Sequence, residues 1–411
     1  MTTPLEELTI LQLLSTYPFL IDVFKQNGLE KFEKTEVLDK LGPFLKLGTA
    51  IRSLSIHQET FLSLLNEAIA QHTAKNDSPL SDNPALQRDL TVLALLPCGM
   101  KVPFNRTFDE FIEAYNQTHR SKLQYLVEGN VNHEVSYYAY IESVTRIDEL
   151  PDIIISSDIN SFYHEGFKSK FLSGNHFVDL SPATLNADMA AIEFSHPENQ
   201  FTMLSANLLV LVAINDRLPD FPTNPSWRDI LSDAYTNSVV MRGGKEFFCN
   251  GVLMPFYKLY GEEGVRQMGR AVKTGVHPSE MVKMIDSSDE TVAPLYIMPY
   301  FFARKIKHRD RVSIHVPQEG AIVSPVQMLV KKNKQHELKE VTDFLLGQAL
   351  GQVCADAFFP SVHPQVRNPT SHVSPLLWLG WDYISKIDVG QIKKTIESIF
   401  MTSFHESGGT L

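Results

Sequence analysis

Two strand-like runs stand end to end in HVPQEGAIVSPVQMLV, residues 315–330, and no helix fits between them. Alternating apolar residues that begin at Val312 end at Pro317, a tight corner follows at Gly320, and a second apolar run covers 321–330. This pattern fits a chain that returns from one lobe to another, with a hinge at the glycine corner. It also fits an ordinary hairpin or β-bulge within one sheet, and the residues alone leave both interpretations open.

Chain length and charge narrow the class of protein. With 411 residues the chain is too long for one hydrophobic core, so we expect two or three domains. A net charge of -11 disfavours nucleic acid and anionic membranes as partners, because both attract basic surfaces. No apolar run approaches the roughly 18–20 residues of a membrane-spanning helix, so we expect no membrane insertion.

The cysteines and the first residues bear on location. Cys98, Cys249 and Cys354 lie far apart and form no CxxC pair, which is typical of free thiols in a reducing compartment. The opening MTTPLEELTILQLLSTYPFLIDVF has no basic stretch and does not look like a secretory signal. We therefore expect a cytoplasmic protein. A periplasmic or cell-surface location would require a leader that had been trimmed from the chain.

Composition divides the chain into a helical part and an α/β part. Amphipathic helical patterns with short connections predict a small bundle at the start, and the polar stretch TAKNDSPLSDNPALQRD after it has the composition of a linker. From Leu90 onward, apolar strands alternate with helical segments, which predicts a mainly parallel sheet covered by helices. The predicted division is a helical bundle over 1–75, a linker over 76–89, a first lobe over 90–204, a second lobe over 205–318, and a return to the first lobe with C-terminal helices over 319–411.

Residues that follow the predicted strands form a first group of candidate ligand contacts. Parallel strands bring their carboxyl ends to one edge of the sheet, and ligands of such sheets bind beyond that edge. The strands predicted at LTVLALLP, KLQYLVEG and DIIISSD all end there. The side chains and backbone expected at this edge are Cys98, Gly99, Asn130, Ser157 and Asp158.

A second group lies in RGGKEFFCNG. We expect Arg242, Gly243, Gly244 and Lys245 between a strand and a helix, with Cys249 one turn inside that helix. Glycines let backbone N–H groups approach a ligand, and a helix N-terminus favours an anion. The segment therefore predicts an anion site, and the ordinary alternative is a plain turn with solvated basic side chains.

Two further pairs of side chains are candidates. If both lobes face one cleft, the thiols of Cys98 and Cys249 line it, and a soft metal held together with Met100 is one option. Free cysteines are more often small buried core residues. Tyr296 and Tyr300 share a face if LYIMPYFF is helical, whereas the proline before the second tyrosine favours a strand for the first. Core aromatics are the plain alternative for both.

Six motifs, in their order along the chain, carry a resemblance to a known family: LPDIIISSD, NLLVLVAIN, SWRDILSDAY, YKLYGEEG, VPQEGAIVSPVQMLV and VTDFLLGQALGQVCADAFFPSVHP. Residues 90–365 resemble bacterial ABC-transporter solute-binding proteins, most of all the branch that binds ferric iron and related solutes. The resemblance implies an α/β, two-lobed, type II periplasmic-binding-protein-like fold with two crossover strands, preceded here by a small all-α domain. It also implies an ABC transporter as partner. The ferric branch binds iron through adjacent tyrosines, whereas Tyr296 and Tyr300 are not adjacent.

The first part of the chain has a resemblance of its own. YPFLIDVFKQNGLEKF and GTAIRSLSIHQETFLSLLNEAI look like a small helical domain of unknown function found in proteins of anaerobic bacteria. Many relatives of that domain carry cysteines after the first helix pair, where this chain has LEKFEKTE. No metal or redox role is therefore carried over to this chain.

Together these patterns predict a solute-binding protein that closes two lobes on a small anion, carboxylate or phosphorylated, or on ferric iron. No cofactor is implied beyond that iron. One alternative is a cytoplasmic enzyme, a transferase or biosynthetic enzyme of the same fold, with Cys98 or Cys249 as nucleophile. Another is a ligand sensor whose helical bundle recruits a protein partner. The sequence contains no nucleophile elbow, HExxH, P-loop or dinucleotide fingerprint.

Overall fold

The computed structural model describes residues 3–54, 58–73, 90–129, 137–244, 247–287, 289 and 291–410. The predicted linker over 76–89 and the candidate contacts Asn130 and Lys245 lie outside these residues. The placement of the domain boundaries stays a prediction.

The N-terminal part is helical, as predicted. Thr9 caps the first helix: its hydroxyl accepts from the Gln12 N–H at 3.2 Å, and the Gln12 side chain accepts from the Thr9 N–H at 2.9 Å. Phe24 packs against Phe32 and Phe61 to form the centre of this part. Its helices are α1 (Ile10–Thr16), α2 (Leu20–Gln26), α3 (Thr35–Leu41), α4 (Leu47–Ser53) and α5 (Gln58–Thr73).

The rest of the described chain alternates strands and helices. Its first half contains β1 (Val92–Leu96), α6 (Cys98–Thr118), β2 (Tyr125–Gly129), α7 (Tyr138–Ile141), β3 (Ile153–Ser157), α8 (Glu165–Phe167), β4 (Phe177–Val178), α9 (Ala187–Ala190) and β5 (Thr202–Ile214). The second half contains β6 (Val239–Met241), β7 (Gly243–Gly244), β8 (Phe247–Phe248), α10 (Asn250–Ala271), β9 (Val272–Gly275), α11 (Pro278–Asp286), β10 (Leu295–Pro299), α12 (Tyr300–Ala303), β11 (Val312–His315), β12 (Ala321–Lys331), α13 (Lys339–Leu345), α14 (Gln348–Asp356), β13 (Leu376–Leu377), α15 (Trp381–Lys386) and α16 (Val389–Glu406).

Two long strands join the two lobes. The strand order β2-β1-β3-β12-β5-β10-β6-β9 places β1, β2 and β3 in lobe 1 and β6, β9 and β10 in lobe 2, with β5 and β12 between them. At its start β12 pairs with the part of β5 that lies towards lobe 2, and at its end it pairs with β3 in lobe 1. The two-lobed α/β fold with two crossover strands is confirmed. β11 and β12 each pair with β5 and not with each other, so the alternative of a hairpin between them is wrong.

The glycine corner lies before the crossing and is not itself the crossing. Gly320, with φ 114°, ends the turn that leads into β12. The Trp227 indole N–H donates to the Gly320 carbonyl at 2.8 Å, which ties the corner to lobe 2. The register of β12 against β5 shifts between Val326 and Gln327, where β12 also begins to pair with β3. The crossing between the lobes therefore coincides with this irregularity, several residues after the corner.

The N-terminal helices dock on lobe 1. Phe44 packs edge-on against Tyr137, and the Lys31 ammonium lies 4.6 Å from the centre of the Tyr140 ring. Nearer the edge of the sheet, Lys40 of α3 and Lys101 of α6 both bind the buried Glu128 carboxylate, at 2.7 and 3.0 Å. The helical part is thus joined to lobe 1 by packing and by paired charges.

A second charged contact of this interface makes docking sensitive to acid. Arg146 of lobe 1 donates two hydrogen bonds to Glu7, at 2.8 and 3.0 Å, and Lys46 lies 3.1 Å from the same carboxylate. The Arg146 hydrogen bond is the main reason that the pKa of Glu7 falls to about 2. A carboxyl whose pKa is lowered by folding stabilises the folded state fully above its usual value of 4.5, and this stabilisation is lost as the pH falls towards 2.

We therefore expect Glu7→Gln to lower the urea midpoint at pH 6 and to lower it progressively less as the pH falls from 4.5 towards 2. Urea titrations of both proteins at several pH values measure this. A difference between the two midpoints that stays constant over this range would show that the Glu7–Arg146 contact does not contribute to docking.

Candidate ligand-binding cleft

A cavity of about 40 Å³ lies where the crossing strands pass between the lobes. Asn207 of β5 and Ser324 of β12 are paired directly opposite each other and form one wall. Both lobes supply the remaining walls, with Cys98 and Asp158 from lobe 1 and Arg242 from lobe 2. The cavity therefore has polar groups from both lobes and from both connecting strands.

Three helices begin at this cavity. Cys98 is the first residue of α6, Cys249 is the N-cap of α10, and His277 is the N-cap of α11, and all three residues line the cavity. Neither α6 nor α10 has an acidic residue in its first turn. Helix N-termini carry partial positive charge and unpaired N–H groups, so their convergence makes the cavity attractive to an anion.

Arg242 adds a full positive charge. It directly follows β6, and its carbonyl accepts from the Cys249 N–H at 2.9 Å, which fixes it beside the start of α10. Its Nε atom is buried and has no hydrogen-bond partner among the described residues. The charge of Arg242 acts on four other groups of the cavity. It favours the ionised forms of Cys98, Cys249 and Asp158 and disfavours protonation of His277.

Asp158 is the acidic side chain of the cavity wall. Its backbone is left-handed, with φ 66°, and its Oδ1 accepts from the Ile159 N–H at 2.8 Å. The carboxylate faces the first turn of α10 across the cleft, since a Cβ added at Gly251 would lie 2.8 and 2.9 Å from its two oxygens. Burial raises the pKa of Asp158, and the Ile159 N–H, Lys393 and Arg242 oppose that rise.

His277 presents a neutral ring to the cavity. Its Nδ1 accepts from the Ser279 N–H at 3.2 Å as the cap of α11. Burial, followed by the charge of Arg242, lowers the pKa of His277. A neutral ring whose Nδ1 accepts a hydrogen bond carries its proton on Nε2, which makes that atom a donor.

Arg242, Gly243 and Gly244 were expected at the start of a helix, and the structure contradicts this prediction. Gly243 and Gly244 form β7, which pairs with Phe248 and Phe247 of β8 in a short hairpin, and the helix begins only at Asn250. A Cβ at Gly243 would lie 2.6 Å from the Phe248 ring, so packing within the hairpin explains this glycine. Cys249 is the N-cap of α10 and does not lie one turn inside the helix.

Five of the predicted contact residues form parts of one cavity. Cys98, Gly99, Asp158, Arg242 and Cys249 line the cavity together.

Three predicted contacts lie elsewhere. Ser157 is buried and its hydroxyl donates to the Leu95 carbonyl at 3.1 Å. Tyr296 is fully buried within β10, between β5 and β6, and Tyr300 contacts His372 through its hydroxyl at 2.9 Å. These side chains pack in the interior or form internal hydrogen bonds. None of the three lines the cavity.

The two cleft thiols are not activated. Burial raises the pKa of both Cys98 and Cys249, so both stay protonated near neutral pH. Met100, the third suggested soft ligand, is buried in the core of lobe 1. Within the described part of the chain, no group of three or more His, Cys, Asp or Glu side chains is arranged to hold a metal ion.

Sequence reasoning missed Asn207, Ser324 and His277. Asn207 and Ser324 are polar residues inside the apolar runs that became β5 and β12, and an interruption of this kind is a usable signal. The pair His277-Pro278 is a typical helix start. Nothing local in the sequence shows that these three residues meet.

The comparison with protein families decides the identity. The family described as bacterial extracellular solute-binding protein matches residues 148–387. The chain belongs to this family. Its resemblance to ABC-transporter solute-binding proteins, predicted from six ordered motifs, is confirmed.

Several solved structures have the same fold as this solute-binding protein. The Bordetella ferric binding protein is 12% identical, with a TM-score of 0.53, and the match covers 77% of this chain and 99% of that protein. A Trichodesmium protein in complex with iron and citrate is 9% identical, with a TM-score of 0.54, covering 76% and 98%. The ferric binding protein from Campylobacter jejuni is 10% identical, with a TM-score of 0.51, covering 78% and 99%. No curated protein matches the sequence.

The predicted cytoplasmic location of this solute-binding protein is wrong, because its family is extracellular. That prediction rested on the first residues and on the free thiols, and neither feature identifies the family to which the chain belongs. Helices long and apolar enough to cross a membrane do not occur in the described ranges.

Proposed function

We propose that this solute-binding protein binds a small oxyanion in the cavity between its lobes. The observation that carries the proposal is the convergence of three helix N-termini and Arg242 on one cavity. Helix N-termini stabilise an anion by about 0.3–1 kcal/mol each when exposed, and by up to about 2 kcal/mol when partly buried. A hydrogen bond from Arg242 adds about 1.5–3 kcal/mol, so a small anion has enough partners for specific binding.

Binding closes the lobes because the anion contacts both of them. Cys98 and Asp158 reach the cavity from lobe 1, whereas Arg242 and the start of α10 reach it from lobe 2. A ligand that makes all these contacts only when the lobes meet favours the closed state by its differential affinity. The strands β5 and β12 supply the connection about which the lobes move. We also propose that the closed protein delivers its ligand to an ABC-type transporter, as the family resemblance implies.

Ferric iron is the ligand named for several proteins of this fold, and it does not suit this cavity. Ferric iron prefers hard oxygen ligands such as phenolates and carboxylates. Among the described cavity residues, Asp158 supplies the carboxylate, whereas Tyr296 and Tyr300 lie elsewhere. The cavity has two thiols, a neutral histidine and an arginine in place of a phenolate pair.

The enzyme alternative has weak support. It requires a reactive thiolate, and burial raises the pKa of both Cys98 and Cys249. The absence of catalysis stays a prediction. The sensor alternative also stays open to test, because the helical part contacts lobe 1 and is joined to Glu128 by Lys40.

Isothermal titration with a panel of small ligands tests the proposal. The panel contains phosphate, sulfate, acetate, citrate and ferric citrate, added to protein that has been unfolded, stripped and refolded. We expect micromolar or tighter binding of at least one small oxyanion with a stoichiometry of one, and no further affinity when ferric iron accompanies citrate. Binding that requires ferric iron, or heat released with none of the anions, would contradict the proposal.

A further inference from the structure

We propose that Asp158 restricts the ligand to an oxyanion that carries a proton at neutral pH, so that the protein binds hydrogenphosphate and rejects sulfate. This inference rests on the proposed function, because it names the class of anion that the cleft accepts.

The position of the carboxylate makes it a partner of any bound anion. Asp158 lines the same cavity as Arg242 and faces the first turn of α10, at the helix N-terminus that attracts the anion. A second full negative charge beside it is unfavourable in a partly buried site unless a hydrogen lies between the two groups. A ligand O–H that donates to the Asp158 carboxylate removes the repulsion and forms a short, charge-assisted hydrogen bond.

The backbone keeps Asp158 from turning away. Its φ of 66° is a left-handed conformation that is uncommon for residues with a side chain, although aspartate adopts it more readily than most of them. The Asp158 N–H donates to the Pro325 carbonyl of β12 at 2.8 Å, and the Ile159 N–H holds Oδ1. The carboxylate is therefore anchored to the crossing strand at the point where the two lobes meet.

The size of the cavity agrees with a small oxyanion group. The cavity of about 40 Å³ exceeds the roughly 10–15 Å³ that a single buried water requires, so it has room for a small oxyanion group. Phosphate and sulfate are of nearly the same size and shape. At neutral pH hydrogenphosphate has a hydrogen to donate and sulfate has none, so the side chain that can tell them apart is an acceptor.

The expected discrimination is large. Sites built to hydrogen-bond a ligand group reject an analogue without that group by about 10⁴–10⁵ in favourable cases, because a buried polar atom is left unpaired. Asp158 is partly accessible to the cavity, so we expect a preference for phosphate over sulfate of at least about 100-fold at pH 7.5.

Isothermal titration of the wild type and of Asp158→Asn with potassium phosphate and potassium sulfate tests the inference. Asparagine is nearly isosteric, removes the charge and supplies an N–H₂ donor, so Asp158→Asn should bind sulfate and lose most of the preference for phosphate. Asp188→Asn, on lobe 1 and away from the cavity, is the matched control and should behave as the wild type. Asp158→Ser replaces the first variant if that one does not fold.

The outcomes separate this inference from the function on which it rests. Wild-type protein that binds sulfate within tenfold of phosphate, or an Asp158→Asn variant that keeps the full preference, would overturn the role of Asp158 and leave oxyanion binding intact. Failure of both proteins to bind phosphate or sulfate would overturn this inference, and oxyanion binding would stand if acetate or citrate released heat. Heat released by none of these anions would overturn the proposed oxyanion function together with the inference.

Discussion

Replacing Arg242 with alanine is expected to weaken phosphate binding at least tenfold, and up to about 100-fold, while the unliganded protein keeps nearly the same thermal stability. The guanidinium lines the cavity, and its Nε atom is buried without a partner in the described chain. Charge-assisted hydrogen bonds to a ligand contribute about 1.5–3 kcal/mol, and each 1.4 kcal/mol corresponds to a factor of ten in affinity. Stability without ligand changes little because Arg242 forms no salt bridge among the described residues.

Isothermal titration and thermal melts of the same protein preparation measure both effects. Arg266→Ala is the matched control, since Arg266 is a half-buried residue of α10 in the same lobe, lies outside the cavity lining and pairs with Glu262 and Glu263 of its own helix. It should leave phosphate affinity unchanged. Normal affinity in Arg242→Ala would show that the anion does not bind at this guanidinium.

Gly320→Ala is expected to destabilise the protein by about 2–4 kcal/mol, because the cost of backbone strain and the cost of overpacking are summed at this position. The φ of 114° is one that residues with a side chain rarely adopt. A Cβ at this position would also lie 2.7 to 2.8 Å from backbone atoms of Pro375, Leu376 and Leu377, which cannot move away as a flexible side chain can. A shift of the urea midpoint measures the loss.

Two other glycines separate the causes. Gly408 has a φ of 78° with nothing within 4 Å of an added Cβ, so Gly408→Ala measures strain alone. Gly166 has no positive φ and equally open surroundings, so Gly166→Ala should cost nothing measurable. If Gly320→Ala lowers the midpoint no more than Gly408→Ala does, the contact with 375–377 is not as tight as the structure has it.

The fold could be predicted because its signals are long and local. The apolar run at 321–330 was expected as a strand and forms β12, and the family resemblance implied two crossover strands, which are β5 and β12. Which part of these strands makes the crossing could not be predicted. It depends on the pairing of β12 with β3 and β5, and on a register shift between Val326 and Gln327, both of which are set by distant segments.

The site was predicted in part, for a related reason. Cys98, Gly99 and Asp158 were found because each follows a buried strand, and ligands of α/β sheets bind at that edge. Arg242 was predicted as a ligand contact and does line the cavity, but a helix was expected where the structure has a short hairpin. Whether two glycines begin a helix or pair with Phe247 and Phe248 depends on packing against those aromatic rings, which the sequence does not show.

The remaining errors in the predicted site concern features that only the tertiary structure determines, namely which side chains are buried and which distant residues meet. Tyr296 was a candidate because the family resemblance implied tyrosine ligands for iron, but β10 pairs with a strand on each edge and the Tyr296 side chain is fully buried. His277, Asn207 and Ser324 come from separate elements and meet only after the lobes assemble. Recognising such a set from sequence requires the tertiary structure, since no spacing along the chain relates its members.

The position of a bound oxyanion tests the central claim most directly. Arsenate has the shape of phosphate and carries a proton at neutral pH, and its arsenic atom can be located by anomalous scattering in a crystal of the protein. We expect one arsenate between the lobes, in contact with the Arg242 guanidinium, the first-turn amides of α10 and the Asp158 carboxylate. An arsenate bound elsewhere, or a cleft that stays without arsenate at concentrations that saturate binding in solution, would contradict the claim that this cleft is an oxyanion site.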